Sequence, residues 1–238
     1  MKFLSYRGNF THIVQFKLIN QEIVVFDVDN TILNGQSQKL FLSYLRSNKI
    51  LGWYPYFKIT YWFFLYKLRI VNNPDKIMNY GISFSIGKTI EEIDKIVDDF
   101  FEKELKKNFY EDAIKLVQKH LDNGRVVILV SSSINFLIKK IAKFLKVQHY
   151  LCTKAEIFNG KYTGKLEGGL VYGKKKAELV EDFAKNNKLS LNNSWSYGDH
   201  ISDKYVLEIA DHPFIVNPNK EVLVEAINNG WVPVYFNK

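Results

Sequence analysis

Four aspartates follow short strand-like segments of this sequence and could act together on a phosphate group. Asp27 and Asp29 come directly after a β-branched run, and Asp199 and Asp203 come after a second short run, Ser194–Tyr197. If the two runs are neighbouring strands, the carboxylates share one small volume, where like charges repel and raise each other's pKa. A divalent cation bound between the carboxylates compensates this repulsion. Oxygen ligands without nearby histidine or cysteine favour a hard cation, and a cleft that also receives phosphate favours Mg²⁺.

The elements that must position these residues alternate between strands and helices. We predict strands at Glu22–Phe26, Arg125–Val130, Ser194–Tyr197 and Pro213–Val216, and helices at Glu111–Leu121, Phe136–Leu145 and Gly173–Ala184. This alternation predicts an α/β fold with a parallel sheet and helices on both faces. Ligands bind outside the carboxyl ends of the strands in such sheets. Ser131, which follows the second strand, is therefore expected beside the aspartates.

The chain between the first two predicted strands has helical patterns only, which indicates a helical insertion. Thr89 and Glu92 have the spacing of a capping box at the start of one of its helices. Further along, Asn159-Gly160 between two strand-like segments predicts a two-residue hairpin. Asn217-Pro218 is expected to end the last strand of the sheet.

The composition favours a folded protein and excludes several classes. The chain has 238 residues, 47% of them hydrophobic, and a formal charge of +8, so a disordered or collagen-like chain is excluded. Its one cysteine, Cys152, excludes an internal disulfide, and no cysteine cluster is available for zinc. The N-terminus lacks the pattern of a secretory signal, so we expect a cytoplasmic protein. The positive charge favours phosphates or anionic lipid, and no motif for specific nucleic acid binding is present.

Four motifs, in order along the chain, resemble the haloacid dehalogenase (HAD) superfamily of hydrolases. The segment from Asp27 to Thr31 matches DxDxT, Leu129-Val130-Ser131 matches the second motif, Lys176 matches the motif lysine, and the segment from Gly198 to Asp203 matches GDxxxD. Phrases such as GKYTGKLEGG and YGKKKAEL are similar to subfamily IB, the branch with phosphoserine-phosphatase-like enzymes. The resemblance implies a Rossmann-like parallel-sheet core, residues 1–35 and 110–238, and an inserted α-helical C1 cap, residues 36–109.

The resemblance also implies roles for single residues. Asp27 would be the nucleophile that forms an aspartyl phosphate, and Asp29 would be the general acid and then the general base. The Mg²⁺ ligands would be Asp27, Asp199 and the backbone carbonyl of Asp29. The phosphate-binding residues would be Ser131, Lys176 and Thr31, and Asp203 would support Lys176 or a metal-bound water.

Several of these residues have a simpler interpretation. Acidic residues after a strand are often turn formers or helix caps. Ser132 and Ser133 are expected to cap the following helix, whereas Ser131 is the preferred phosphate ligand. Lys174 and Lys175 precede Lys176 directly, and a basic run is usually a solvated surface; the distance from Gly173 in related sequences favours Lys176.

An aromatic stretch from Leu51 to Tyr66 has two interpretations. Its nine aromatic residues are expected to pack inside the cap. Alternatively, they form an interfacial surface that contacts an anionic membrane, with the cations Lys58, Lys67 and Arg69 near lipid headgroups. A membrane-spanning helix is not expected, because Pro55 and Lys58 interrupt the stretch.

We therefore predict a Mg²⁺-dependent phosphatase that acts on a phosphate monoester. Residues 33–37 contain no acid that could bind the ammonium group of free phosphoserine, as phosphoserine phosphatases usually do. The aromatic stretch makes a lipid phosphate such as phosphatidylglycerophosphate an attractive substrate. The alternatives are a phosphotransferase that passes the phosphoryl group to an alcohol, and a non-catalytic protein that binds membranes or anions.

Overall fold

A computed structural model describes residues 22–67 and 74–237 of the chain. The strands are β1 (Glu22–Phe26), β2 (Val126–Ile134), β3 (His149–Phe158), β4 (Lys161–Glu167), β5 (Ser190–Gly198), β6 (His212–Val216) and β7 (Val232–Val234). The helices are α1 (Ser37–Ser47), α2 (Trp53–Lys67), α3 (Pro74–Gly81), α4 (Ile90–Phe100), α5 (Glu111–Asp122), α6 (Asn135–Leu145), α7 (Lys174–Asn186), α8 (Lys204–Glu208) and α9 (Lys220–Asn229).

The seven strands form one sheet in the order β4-β3-β2-β1-β5-β6-β7. Every neighbouring pair is parallel except β3 and β4, which form an antiparallel hairpin. At the carboxyl end of β1, Phe26 lies opposite Leu129 of β2 and Tyr197 of β5. The predicted α/β fold with a mostly parallel sheet is confirmed, and the ends of the three central strands are aligned.

The central strand β1 is buried on both faces, as its unbroken apolar sequence predicts. Val24 and Phe26 pack into one hydrophobic cluster, and Ile23 and Val25 pack into a second cluster on the other face. Successive side chains of a strand alternate between faces, so one short segment anchors both layers of helices. The residue that follows Phe26 is thereby fixed at the centre of the sheet edge.

The inserted segment is helical, and its two ends meet. In residues 37–67 and 74–108 the structure contains helices and turns and no strand. The backbone N–H of Asn34 donates to the carbonyl of Asn108 at 2.7 Å, and that of Tyr110 donates to Ile32 at 3.0 Å. These bonds hold the entry and exit of the insertion side by side, next to Asp29. The proposed division at residues 35 and 110 stays a prediction, and residues 1–21 of the proposed core lie outside the described residues.

The structure contains the capping box and the hairpin that local sequence motifs predict, although the ends of some helices and strands differ from the predicted ends. The capping box of Thr89 and Glu92 is formed, with both reciprocal hydrogen bonds. Asn159 and Gly160 both have positive φ and join β3 to β4. The prediction that the sheet ends before Asn217-Pro218 is wrong, because β7 follows α9 and pairs with β6. That strand has only three residues, too few for a visible hydrophobic pattern.

The aromatic stretch forms helix α2, but the prediction that its rings pack inside the cap is wrong for five of them. The side chains of Trp53, Tyr54, Phe57, Tyr61 and Phe64 are all exposed. Residues packed on the other side include Ile59, which is buried, and Trp62, whose ring stacks on Tyr80 at 6.0 Å. Of the cations predicted to flank the stretch, Arg69 lies outside the described residues. No helix in the described part of the chain is long and apolar enough to cross a membrane.

Candidate active site

Asp27 lies directly beyond the end of β1, where the sheet ladder holds its backbone. Its N–H donates to the carbonyl of Tyr197 at 2.8 Å. The carboxylate is buried; one of its oxygens accepts from the Lys176 ammonium at 2.6 Å and the other accepts from the Thr31 hydroxyl at 3.2 Å. A rigid strand on one side and two donors on the other fix this carboxylate in place.

A tight turn after Asp27 brings Thr31 back towards it. Asn30 has a φ of 58°, a left-handed conformation that asparagine tolerates better than most residues. The N–H of Ile32 donates to the carbonyl of Val28 at 2.9 Å, and the N–H of Asn30 donates to that of Gly35 at 3.1 Å. The spacing of the DxDxT motif thus corresponds to one compact turn.

Lys176 enters the site from the first turn of α7. Its side chain is buried, and its ammonium contacts Asp203 at 2.7 Å as well as Asp27. Lys174 and Lys175 are exposed and lie within 4.0 Å of Glu178 on the helix surface. Of the three consecutive lysines, the structure brings Lys176 to the aspartates.

Asp199 and Asp203 complete the acidic cluster from the loop after β5. A short 3₁₀ turn, Ile201–Asp203, brings the second acid back to the strand end, where it accepts from the N–H of His200 at 3.3 Å. One carboxylate oxygen from each of Asp27, Asp199 and Asp203 lies within 4.8 Å of the others. The Asp203 carboxylate, which was predicted to support Lys176 or a metal-bound water, is therefore part of this potential cation site.

The Asp29 carboxylate accepts hydrogen bonds from Ser37 and Ser133, and neither residue was predicted from the sequence to contact it. It accepts from the backbone N–H of Ser37 at 2.7 Å and from the hydroxyl of Ser133 at 2.9 Å. The Ser37 and Ser133 hydroxyls are 2.7 Å apart, and both residues are fully buried. This contact connects β2 with the first residue of α1, so the insertion is tied directly to Asp29.

The prediction that Ser132 and Ser133 cap the following helix is wrong. The serines lie within β2, which continues to Ile134, and α6 begins without a side-chain cap. Ser131 still pairs with Cys152, and the register shift between Ser131 and Ile134 separates Ser132 and Ser133 from the regular ladder. Ser131 is buried, and its hydroxyl accepts from the N–H of Ser133 at 3.0 Å. The two-residue spacing of Ser131 and Ser133 along a strand was the available signal that both belong to one site.

Burial raises the pKa of Asp27, Asp29 and Asp199, and repulsion between carboxylates adds to the rise at Asp27 and Asp199. Burial raises the pKa of Asp27 well above its ordinary value, the Lys176 charge opposes the rise, and Asp203 and Asp199 add to it. Burial and the charge of Asp203 raise the pKa of Asp199 to about 7. Burial also raises the pKa of Asp29, against the hydrogen bonds from Ser37 and Ser133. The cluster holds more negative charge than Lys176 neutralises.

This excess charge fits a bound divalent cation. Among residues 22–67 and 74–237, three carboxylates converge around the single ammonium group of Lys176, and their ligand atoms are all oxygens. Hard cations such as Mg²⁺ take oxygen ligands of this kind, and a cation would stabilise the ionised form of each acid. The residues present thus satisfy the chemistry of the expected metal.

Comparisons with known proteins agree with this arrangement. The family model described as haloacid dehalogenase-like hydrolase matches residues 24–208, which include Asp27, Ser131, Lys176 and Asp203. The chain belongs to the haloacid dehalogenase-like hydrolase family. A probable phosphatase of Mycobacterium tuberculosis is 26% identical to this hydrolase over 215 residues, which cover 90% of this chain and 75% of the relative.

Solved structures share the fold of this hydrolase. A protein of unknown function from Bordetella pertussis Tohama I superposes with a TM-score of 0.83 at 22% identity, over 90% of this chain and 98% of that one. A substrate-bound phosphoserine phosphatase superposes with a TM-score of 0.61 at 19% identity, over 90% of this chain and 92% of that one. At these identities the similarity concerns the fold.

Proposed function

We propose that this hydrolase is a Mg²⁺-dependent phosphatase of the subfamily IB type that cleaves a phosphate monoester through an aspartyl phosphate on Asp27. The observation that carries the proposal is the position of the Asp27 carboxylate, which lies at the end of β1 and is held by Lys176 within reach of Asp199 and Asp203. The family membership and the phosphatase among the relatives support the reaction class.

In the first half of the reaction, a carboxylate oxygen of Asp27 attacks phosphorus. The bond from phosphorus to the alcohol oxygen breaks, and Asp29 donates its proton to that leaving oxygen. The raised pKa of Asp29 supports this role, because the carboxyl group is then protonated over a wider pH range. The hydrogen bonds from Ser37 and Ser133 orient the Asp29 carboxyl group.

In the second half, water attacks the phosphorus of the aspartyl phosphate. Asp29, now ionised, takes a proton from the water, the bond between phosphorus and Asp27 breaks, and inorganic phosphate leaves. Lys176 and the hydroxyls of Ser131 and Thr31 bind the phosphoryl oxygens and compensate their charge. The buried position of Lys176 makes its charge effective, because water screens it little.

Asp27, Asp199 and Asp203 would hold the magnesium ion, with the backbone carbonyl of Asp29 as a further ligand. When bound, Mg²⁺ neutralises phosphate charge and so lets a carboxylate approach a dianion. The Asn30 side chain favours the ionised form of Asp199 and so opposes the rise in its pKa that burial causes.

For the substrate, we propose a phosphate monoester without an ammonium group near the phosphate, and specifically a lipid phosphate such as phosphatidylglycerophosphate. Residues 33–37 lie beside Asp29 and contain no acid that could bind an ammonium group. The exposed aromatic residues of α2 are on the same inserted segment as Ser37. A panel of amino-acid, sugar, nucleotide and lipid phosphates, assayed with Mg²⁺ and with EDTA, tests this choice.

Replacing the nucleophile tests the mechanism. Asp27→Asn is expected to lower turnover of a generic aryl phosphate at least about a thousandfold, because the amide cannot form the acyl phosphate. Asp182→Asn, an exposed acid on α7, is the matched control and should keep full activity. Mass spectrometry of acid-quenched enzyme should show phosphate on Asp27. Retained activity in the Asp27→Asn variant would refute the nucleophile assignment.

A further inference from the structure

Helix α2 presents a continuous exposed aromatic face. Trp53, Tyr54, Phe57, Tyr61 and Phe64 fall within about 100° of one another around a helix with 3.6 residues per turn. Their side chains are 57–78% exposed. We call these five residues the aromatic face.

The opposite side of α2 is also apolar, so the helix has no polar side that belongs in water. Ile59 is buried in the core, and Tyr56 is half-buried against it. A helix that is hydrophobic all round is normally covered on all sides. Exposed groups of large rings mark a contact surface, because isolated apolar side chains on a protein surface are common but contiguous patches are not.

The charge of the sequence that contains α2 is one-sided. Between Asn30 and Pro74 the sequence contains no Asp or Glu, although the chain has 25 of them. The same 45 residues contain six basic residues: Lys39, Arg46, Lys49, Lys58, Lys67 and Arg69. The Arg46 guanidinium lies 3.6 Å from the centre of the Trp53 ring, at the start of the aromatic face. Most of the net charge of +8 thus comes from this segment.

The exposed rings together with the basic segment favour an anionic membrane over a second copy of the chain as the partner. A second copy of the chain would bring two basic segments together in a symmetric interface, where they would repel. An anionic membrane attracts the cations electrostatically, and Trp and Tyr rings favour the level of the lipid headgroups. With 15 residues, α2 is about 22 Å long, too short to cross a bilayer core of about 30 Å but suited to lie in its surface.

We infer that α2 docks this hydrolase on anionic membrane surfaces through the aromatic face. The inference does not depend on the proposed chemistry, since binding needs no turnover. The docked helix is connected to the site, because the backbone N–H of Ser37, at the start of α1, donates to the Asp29 carboxylate at 2.7 Å. Along the chain, α1 and residues 48–52 connect this contact to the docked helix.

Sedimentation of the full chain with phosphatidylcholine vesicles, with and without about one third phosphatidylglycerol, tests the inference without any substrate. We expect binding to the anionic vesicles, and weaker binding as salt rises from about 0.1 M to about 1 M. Phe57→Ser combined with Phe64→Ser should lower the partition coefficient at least about tenfold. The matched control, Phe158→Ser with Tyr235→Ser, removes two exposed rings elsewhere and should bind like wild type.

Three outcomes would overturn the inference. The first is that the wild type does not bind to anionic vesicles, and the second is that both double variants lose vesicle binding equally. The third is that the wild type self-associates and that this self-association disappears only in the Phe57/Phe64 variant, which would assign the aromatic face to a second copy of the chain. Aryl phosphate turnover, measured in parallel, reports folding of each variant. If the wild type shows no aryl phosphate turnover, this result counts against the proposed function and leaves the vesicle-binding result intact.

Discussion

At the scale of single residues, Lys176 is central because its ammonium group pairs with two buried carboxylates. Its ammonium lies 2.6 Å from Asp27 and 2.7 Å from Asp203, and all three side chains are at most 10% exposed. Burial alone would lower the pKa of a lysine, but the charges of the two aspartates outweigh it and raise the pKa. The cation is therefore permanent, and removing it leaves two buried charges uncompensated.

Replacing Lys176 with methionine should cost both stability and activity. We expect the free energy of unfolding to fall by about 3 kcal/mol, the usual cost of breaking a buried ion pair by removing one partner. Aryl phosphate turnover should fall at least about a hundredfold. Lys174→Met and Lys175→Met change exposed lysines of the same helix and should alter stability by less than about 0.5 kcal/mol. Urea unfolding of the three variants gives the comparison; equal effects would mean that Lys176 is not paired in the core.

His120 is another buried ionisable residue, and it has no role in the proposed reaction. Arg125 can only donate, so its contact with Nδ1 of His120 at 3.1 Å makes that nitrogen an acceptor; Nε2 faces the Tyr197 hydroxyl at 3.1 Å. Burial, together with the charges of Arg125 and Lys119, lowers the pKa of His120 to about 4, while Glu22 opposes the shift. Protonation would place a hydrogen on Nδ1 against the Arg125 cation.

Stability should therefore fall in acid through His120. Because the folded-state pKa is below the unfolded value of 6.5, the unfolded chain binds more protons between these values, and the stabilisation present above pH 6.5 is lost as pH falls towards 4. From about pH 7.5 to about pH 5 the loss amounts to about 2 kcal/mol. The raised pKa values of Asp27, Asp29 and Asp199 act in the opposite direction over this pH range, in the wild type and in His120→Phe alike. The measured quantity is therefore the free energy of urea unfolding of the wild type minus that of His120→Phe, which should fall by about 2 kcal/mol between the two pH values. The exposed His212→Phe is the control, and an unchanged pH dependence in His120→Phe would contradict the assignment.

At the scale of elements, the site depends on how closely the loop after β5 approaches its own strand. A Cβ atom placed on Gly198 would lie 2.8 Å from the Cβ of Asp203 and 3.2 Å from its Cγ. Real Cβ atoms do not approach so closely, and Asp203 is held by Lys176 and His200. The glycine of the GDxxxD motif is thus required for space.

Gly198→Ala should displace Asp203 and weaken the acidic cluster. We expect a loss of about 1–3 kcal/mol in the free energy of unfolding, as for other overpacked core positions, and at least about tenfold lower turnover. Gly81→Ala at the end of α3 is the control, because an added Cβ there meets no atom within 4 Å. Thermal unfolding and aryl phosphate assays measure both effects. Wild-type behaviour of Gly198→Ala would show that the loop can move away without cost.

At the scale of the whole molecule, the excess negative charge of the site contrasts with the positive charge of the chain. Asp27, Asp199 and Asp203 converge where strands from distant parts of the sequence end side by side. Their repulsion opposes folding, since the unfolded chain keeps them apart and in water. A bound cation would convert this repulsion into a stabilising interaction of the folded state.

Magnesium should therefore stabilise the protein against heat. At about one hundred times its dissociation constant, a ligand that binds only the folded state adds about 2.7 kcal/mol, which corresponds to about 5–10 °C for a chain of this size. Differential scanning calorimetry in Mg²⁺ and in EDTA measures the shift. Asp199→Asn should abolish most of it, whereas Asp182→Asn should keep it. Identical melting of the wild type in both buffers would argue against the metal site.

The sequence by itself determined the central strands of the sheet and the candidate residues that follow them. Buried strands such as β1 are recognisable because both their faces must be apolar, and the polar residues that interrupt them mark the strand ends. The capping box at Thr89 and the hairpin at Asn159-Gly160 were also predictable, since their causes are local in the chain. Lys176 was separated from its two neighbours by resemblance to related sequences, and its burial agrees with that choice.

Only the tertiary structure decided which side chains share a partner and which remain in water. Ser37 and Ser133 are 96 residues apart, and nothing local indicates that both contact Asp29. Whether an aromatic ring of α2 is buried depends on which neighbouring elements reach it, and the ring chemistry is the same on both sides of the helix. Hydrophobic patterns report a preference for burial, but burial itself requires a packing partner, and the described fold provides none for the aromatic face.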